Sequence, residues 1–166
     1  MSSTEHNILS SYREQLIEHL FIGELMKTLW LKGHYVEVSK PQVDDSGYDL
    51  ILECNGIIRH VQLKASHQES STATAKVNVK LAEKPSGCVV WIRFDQKTMN
   101  LGPFLWFGSS PGQPLPDLTG FKTVKHTKAN SKGEKTERPN IKEIPKGKFE
   151  VVESILELAT KLFGIT

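Results

Sequence analysis

A chain of 166 residues, 38% of them hydrophobic and 24% charged, is long enough to bury one substantial core and is read as a single domain over 1–166. The formal net charge of +2 selects no class of partner by itself; the distribution of charge along the chain says more. No apolar run reaches the roughly 20 residues that span a bilayer. MSSTEHNILSS at the start lacks the basic and apolar regions of a secretory signal, so no membrane partner and a cytoplasmic location are expected. Cys54 and Cys88 fall in predicted strands and read as buried small hydrophobes, with no CxxC pair, disulfide framework or zinc ligand set.

The first element is a helix from about Ser10 to Lys32, closed by Gly33 at the C′ position. Ser10 or Ser11 is placed to cap it, with Glu14 three residues after Ser11 as in a capping box. Its apolar residues nearly encircle it, which predicts burial on most sides. Glu24 has Ile17, Leu20, Phe21, Thr28 and Leu31 as helical neighbours. A carboxylate in that stripe faces the core or a site, and it is costly to bury unless paired or bound to a metal. Glu18, whose neighbours include Glu14, is the competing candidate; Glu24 is preferred. For either, the plain alternative is a surface glutamate at the edge of the stripe.

Tyr35–Val38 reads as a strand, followed by a polar loop, KPQVDDSG, in which Asp44 and Asp45 are either water-mediated metal contacts or ordinary loop chemistry. From Asp44 to Ser66 the sequence DDSGYDLILECNGIIRHVQLKAS predicts a β-hairpin about Asn55-Gly56, a pair suited to the positive φ of a type I′ turn. Counting outward from Cys54 opposite Ile57 sets Asp49 against Gln62, with Lys64 further along the same face. The other face carries Tyr48, Leu50, Leu52, Val61, Leu63 and Ala65, interrupted by Arg59. A carboxylate, an amide and an ammonium in otherwise hydrophobic strands suit a hard cation such as Mg²⁺, which takes oxygen ligands and keeps waters. Asp49 supplies an anionic oxygen, Gln62 a neutral one, and the Leu63 main-chain carbonyl a third. Lys64 is then placed to orient or deprotonate a water and to offset charge on a pentavalent phosphate. The competing reading is an Asp49–Lys64 pair on a half-exposed sheet face.

Gly47-Tyr48-Asp49-Leu50-Ile51 followed by Gln62-Leu63-Lys64-Ala65-Ser66 resembles the D…(E/Q)xK signature of the PD-(D/E)XK nuclease superfamily, which includes restriction endonucleases and archaeal Holliday-junction resolvases. The resemblance covers about the first 95 residues. It implies a restriction endonuclease-like αβββαβ core in an α/β fold, a mixed sheet flanked by helices, and phosphodiester cleavage dependent on Mg²⁺ or Mn²⁺. It also implies a helix glutamate ahead of the hairpin, a role comparable to the position of Glu24. Glu24, Asp49 and Gln62 are thus the implied metal-site residues and Lys64 the catalytic lysine, with DNA the preferred polymer. Gln62 stands where the superfamily usually has an acid, as in methylation-dependent restriction nucleases, and Tyr48 stands where it has proline. Since a neutral ligand holds metal more weakly than a carboxylate, the alternative is a nuclease-derived domain that binds nucleic acid or protein with weak or no catalysis.

HQESSTATA, after Ser66, reads as a hydroxyl-rich mobile loop over the site, with Ser66, His67 and Gln68 as phosphate contacts or an ordinary polar turn. Ala75–Leu81 alternates as a strand. A short helix or turn through Gly87 precedes a buried strand, CVVWIRF, leaving little room for the superfamily's crossover helix. The remainder, from about 96, is expected to be an extension of a β-hairpin, a basic loop and a helix. In FLWFG, Phe104, Trp106 and Phe107 read as core, with base stacking the alternative. Between Lys122 and Lys148 lie nine Lys/Arg and three Asp/Glu, a local charge of +6 against −4 for the rest. Lys125, His126, Lys128 and Lys132 in that segment suit phosphate contacts without sequence reading, or else a solvated loop. A last helix, about Phe149 to Phe163 and ending at Gly164, packs on the domain or seals a homodimer.

Overall fold

A computed structural model describes residues 9–43 and 45–165. A long helix, α1 (Ser10–Leu31), leads into β1 (Glu37–Ser39), β2 (Leu50–Cys54) and β3 (Ile57–His67). There follow β4 (Thr74–Asn78), a 3₁₀ turn (Val79–Glu83), β5 (Gly87–Phe94) and β6 (Leu101–Gly108). The chain finishes with β7 (Lys122–Lys125), β8 (Glu137–Pro145), β9 (Glu150–Val152) and a second helix, α2 (Ile155–Phe163). Among the described residues no helix is long and apolar enough to cross a membrane.

The strands form two sheets. A mixed six-stranded sheet runs β1-β2-β3-β5-β6-β9, and a three-stranded antiparallel sheet runs β4-β8-β7. The hairpin turns at Asn55 (φ 52) and Gly56 (φ 77), both positive as the type I′ turn requires. Its register is the expected one, Leu50 opposite Val61 through Cys54 opposite Ile57. β3 and β5 pair in parallel, which demands a crossover. Here β4 and the 3₁₀ turn serve as that crossover in place of a full helix.

All eight residues of β5 are buried, because the strand lies inside the sheet and both its faces are covered. Cys88, Val90, Ile92 and Phe94 join the core beneath α1 and α2, together with Leu50, Leu52 and Val61. Val89 and Trp91 join a second core beneath the small sheet, with Leu105, Phe107 and Phe149. Each large apolar side chain so buried stabilises the fold by about 1.5–3 kcal/mol before entropy is counted.

Several elements depart from the sequence reading. Only one stripe of α1 is buried, Ile17, Phe21, Leu25 and Leu29, while Tyr12, Met26, Trp30 and Leu31 are exposed. Its N-cap is Leu9, with no side-chain cap among the described residues, so neither Ser10 nor Ser11 closes a capping box. Tyr48 does not share a face with Leu50: it packs in the second core, its ring edge-on to His60 at 4.9 Å. Ala65 is exposed rather than core. Much of the basic segment is paired in β7 and β8, not a loop, and the start of the expected last helix is β9, an edge strand on β6. Together β6 and β9 place part of the expected extension inside the main sheet. Phe104, Trp106 and Phe107 are buried, so they are core and present no stacking surface. Cys54 and Cys88 are buried and free, and burial pushes the Cys88 thiol up to about 12.

Candidate functional site

β2 stops at Leu50 while β3 runs on to His67, so the far half of β3 has an edge that β2 does not cover. Asp49 sits at the break. Its amide donates to the Val61 carbonyl (2.8 Å) instead of continuing the ladder, and its Oδ2 accepts from the Leu63 amide (2.6 Å). In a strand the N–H and C=O of one residue project from the same edge, so the Leu63 carbonyl emerges beside the Asp49 carboxylate. Gly47 makes this arrangement possible: at φ 79, any Cβ there would lie 2.9 Å from Asn78 Cβ, so only glycine lets the loop pass so close.

The same loop is pinned at two further points. Lys40 forms an ion pair with Glu18 of α1. Asp45 accepts from Lys80 Nζ at 2.7 Å, and that bond and charge hold its carboxyl below the usual range. Asp45 is therefore engaged by the 3₁₀ turn; Asp44 lies outside the described residues.

The break opens on a cleft of about 440 Å³ between α1 and β3. Glu14, Gln15 and Glu18 form one wall, and Asp49, Leu63 and Lys64 the other. Of the predicted residues, Asp49, Leu63 and Lys64 thus come together. Glu24 does not join them: it is half-buried six residues beyond Glu18, about 9 Å along the helix axis. Glu18, the second choice in the sequence, is the one at the cleft. The signal that favours it is the polar run Ser11, Glu14, Gln15 and Glu18, spaced at three and four residues on one helix face.

Gln62 is paired in register with Val89 and does not line the cleft, yet its Oε1 is buried with no hydrogen-bond partner among the described residues. Such an orphaned acceptor is uncommon enough to need a reason. Ser66 holds the structure together: its Oγ accepts from Trp91 Nε1 (2.8 Å) and Arg93 Nη1 (2.5 Å). The Gln68 amide donates to the Gly102 carbonyl (2.7 Å), so both side chains are committed within the fold. His67 is half-buried at the end of β3, and Lys125, His126, Lys128 and Lys132 are exposed on the small sheet and its β7–β8 turn, outside the cleft.

Among the described residues no group of three His, Cys, Asp or Glu could hold a metal by itself. The donors that line the cleft are oxygens: the Asp49 and Glu18 carboxylates and the Leu63 carbonyl. That set suits a hard cation that retains water, and does not suit zinc. Comparison with protein-family models, curated proteins and solved structures gave no match to this chain.

Proposed function

We propose that this chain hydrolyses phosphodiester bonds in nucleic acid, as a Mg²⁺- or Mn²⁺-dependent endonuclease acting on DNA. The observation that carries the reading is the break between β2 and β3, where Asp49, the Leu63 edge and Lys64 meet a cleft whose far wall bears Glu14 and Glu18. The resemblance to PD-(D/E)XK nucleases supports it, and the preference for DNA rests on that resemblance alone. A divalent cation held by Asp49, Glu18 and the Leu63 carbonyl would offset phosphate charge and make a bound water more acidic; Gln62 would join them only if its buried amide oxygen turned toward the cleft.

The chain's own residues have distinct tasks. The Leu63 amide fixes the rotamer of Asp49. Lys64 orients the attacking water and meets the negative charge that builds on phosphorus. The walls of α1 and β3 limit the approach of a phosphate to the open edge of β3.

A second reading is a nuclease-derived domain that binds nucleic acid or a protein with little turnover. It draws on the neutral Gln62 and on the engagement of both carboxylates within the fold, Glu18 by Lys40 and Asp49 by the Leu63 amide. Cleavage of supercoiled plasmid, linear duplex, single-stranded DNA and RNA in Mg²⁺ or Mn²⁺ separates the two. In the hydrolytic reading Asp49→Asn and Lys64→Ala each lose about 100-fold or more in rate, and Asp49→Asn also loses the thermal stabilisation given by Mg²⁺. Wild type that binds and never cuts establishes the second reading.

A further inference from the structure

Beside the cleft, toward β4, lies a second hollow of about 340 Å³, lined by Lys64, Ala65, Thr72, Thr74, Lys76 and Trp91. Lys64 and Ala65 line both spaces, so the two adjoin at the same stretch of β3. Their charge is opposite. Glu14, Glu18 and Asp49 line the α1 side, Lys76 lines the β4 side, and Lys64 borders both.

The floor of the second hollow is fixed. Trp91 is 1% exposed, donates to Ser66 and meets Phe149 edge-on at 5.5 Å. The rim is partly committed: Thr72 Oγ1 pairs with Ser70 (2.8 Å) and Thr74 Oγ1 donates to Glu143 (3.0 Å). Glu143 stands opposite Lys76 in the β4–β8 ladder, but it takes that hydroxyl and also faces Lys122 at 3.8 Å. Lys76 is exposed and is the basic residue that this sheet contributes to the rim of the hollow.

We propose that the β4-side hollow seats the polynucleotide backbone next to the bond that is cut, with a flanking phosphate between Lys64 and Lys76. The inference rests on the hydrolytic reading above and adds the side of β3 by which the strand leaves the site. A strand leaving toward α1 would set its phosphates against the Glu14 carboxylate, with Glu18 already paired with Lys40, a like-charge arrangement that is disfavoured. A strand leaving toward β4 meets two ammonium groups and a rigid apolar floor.

The test is the salt dependence of binding of a fluorescently labelled DNA in EDTA, for wild type, Lys76→Ala, Lys76→Arg and Lys32→Ala. Lys32 is an exposed lysine at the far end of α1 and serves as a charge-matched control. Losing one phosphate contact lowers the slope of log K against log salt by roughly 0.9 for a duplex or roughly 0.7 for a single strand. That drop is expected for Lys76→Ala, with Lys76→Arg restoring the wild-type slope and Lys32→Ala leaving it unchanged. In Mg²⁺, Lys76→Ala should raise KM several-fold and leave kcat within about twofold, the pattern of lost uniform binding. Equal slopes and equal KM for wild type and Lys76→Ala overturn the inference, as does an identical drop for Lys32→Ala. If wild type cuts and only Lys76 proves indifferent, the inference fails alone; if wild type neither binds nor cuts, the hydrolytic reading falls with it.

Discussion

The two faces of the six-stranded sheet are covered in different ways. One is roofed by α1 and α2 over the larger core, which holds Phe21, Phe94, Phe104, Trp106 and Phe163 among its aliphatic residues. The other is roofed by β4, β8 and β7 over a smaller core in which Phe107 and Phe149 lie 5.5 Å apart and Trp91 meets Phe149 edge-on. Helices supply long stripes that bury whole turns at once, and their polar flank gives the cleft its acids. A small sheet buries only alternate residues, so its outward positions are left for Lys76, Lys122 and Lys125. The open edge of β3 is the boundary between an acidic side and a basic one.

The sharpest way to break this comparison is to truncate one buried side chain on each face. Phe21→Ala, under the helices, should cost about 3–5 kcal/mol in urea unfolding. Val77→Ala, under the small sheet, removes two methyl groups and should cost about 2 kcal/mol. Amide exchange then tells whether the faces are coupled: the Val77 variant should loosen β4, β8 and β7 and leave α1 protected. Equal loss of protection on both faces would show one cooperative unit.

A smaller effect comes from His60, on the small-sheet side beside Tyr48. Burial, and then the Lys84 ammonium, pull its imidazole below the ordinary range, and its Nδ1 is buried with no hydrogen-bond partner among the described residues. A depressed folded value means that the unfolded chain binds the proton more readily. The stabilising contribution is therefore complete above the unfolded value of about 6.5 and is lost as pH falls through and below it. Melting temperatures from pH 7.5 to 5.5 should drop more for wild type than for His60→Phe. A parallel drop would remove His60 from the account.

The smallest effect on stability is expected from Lys125 at the end of β7 and Lys128 and Lys132 in the exposed β7–β8 turn. Replacing all three by alanine should change the unfolding free energy by no more than about 0.5 kcal/mol. Their removal should nonetheless flatten the salt dependence of DNA binding if the turn reaches phosphate, and leave it unchanged if these lysines are merely solvated.

The legibility of the two faces differs for physical reasons. Asn55-Gly56 fixed the hairpin register because only a few residue types tolerate positive φ at both positions. The unbroken run CVVWIRF announced a strand covered on both sides. The apolar residues of α1 encircle it, so the sequence alone implies burial on most sides, and only packing decides that one stripe is covered. Alternation puts Tyr48 on the face of Leu50, but alternation holds only inside a regular ladder, and the chain turns at Gly47 just before it. The charged residues of β7 and β8 show no apolar alternation, and pairing of β8 with β4 and of β7 with β8 overrides that weak local signal. The apolar neighbours of Glu24 point to it in the sequence, whereas the cleft is bordered by the polar flank of the helix, where Glu18 lies.

Arg59, the residue that interrupts the hydrophobic face of β3, has a consequence for how the chain is made. It is fully buried, and its guanidinium donates to the carbonyls of Leu162 (2.7 Å), Lys161 (2.9 Å) and Ser109 (3.0 Å). Two of these acceptors are the last-turn carbonyls of α2, where the helix dipole is negative. During synthesis the hairpin emerges about a hundred residues before those carbonyls exist, at roughly 5–20 residues per second. For that interval the guanidinium must stay in water, so the helix-covered core cannot close around it until α2 has left the ribosome. A chain cut short of Lys161 would face the same obstacle permanently, with a hairpin able to form its turn and a core unable to seal.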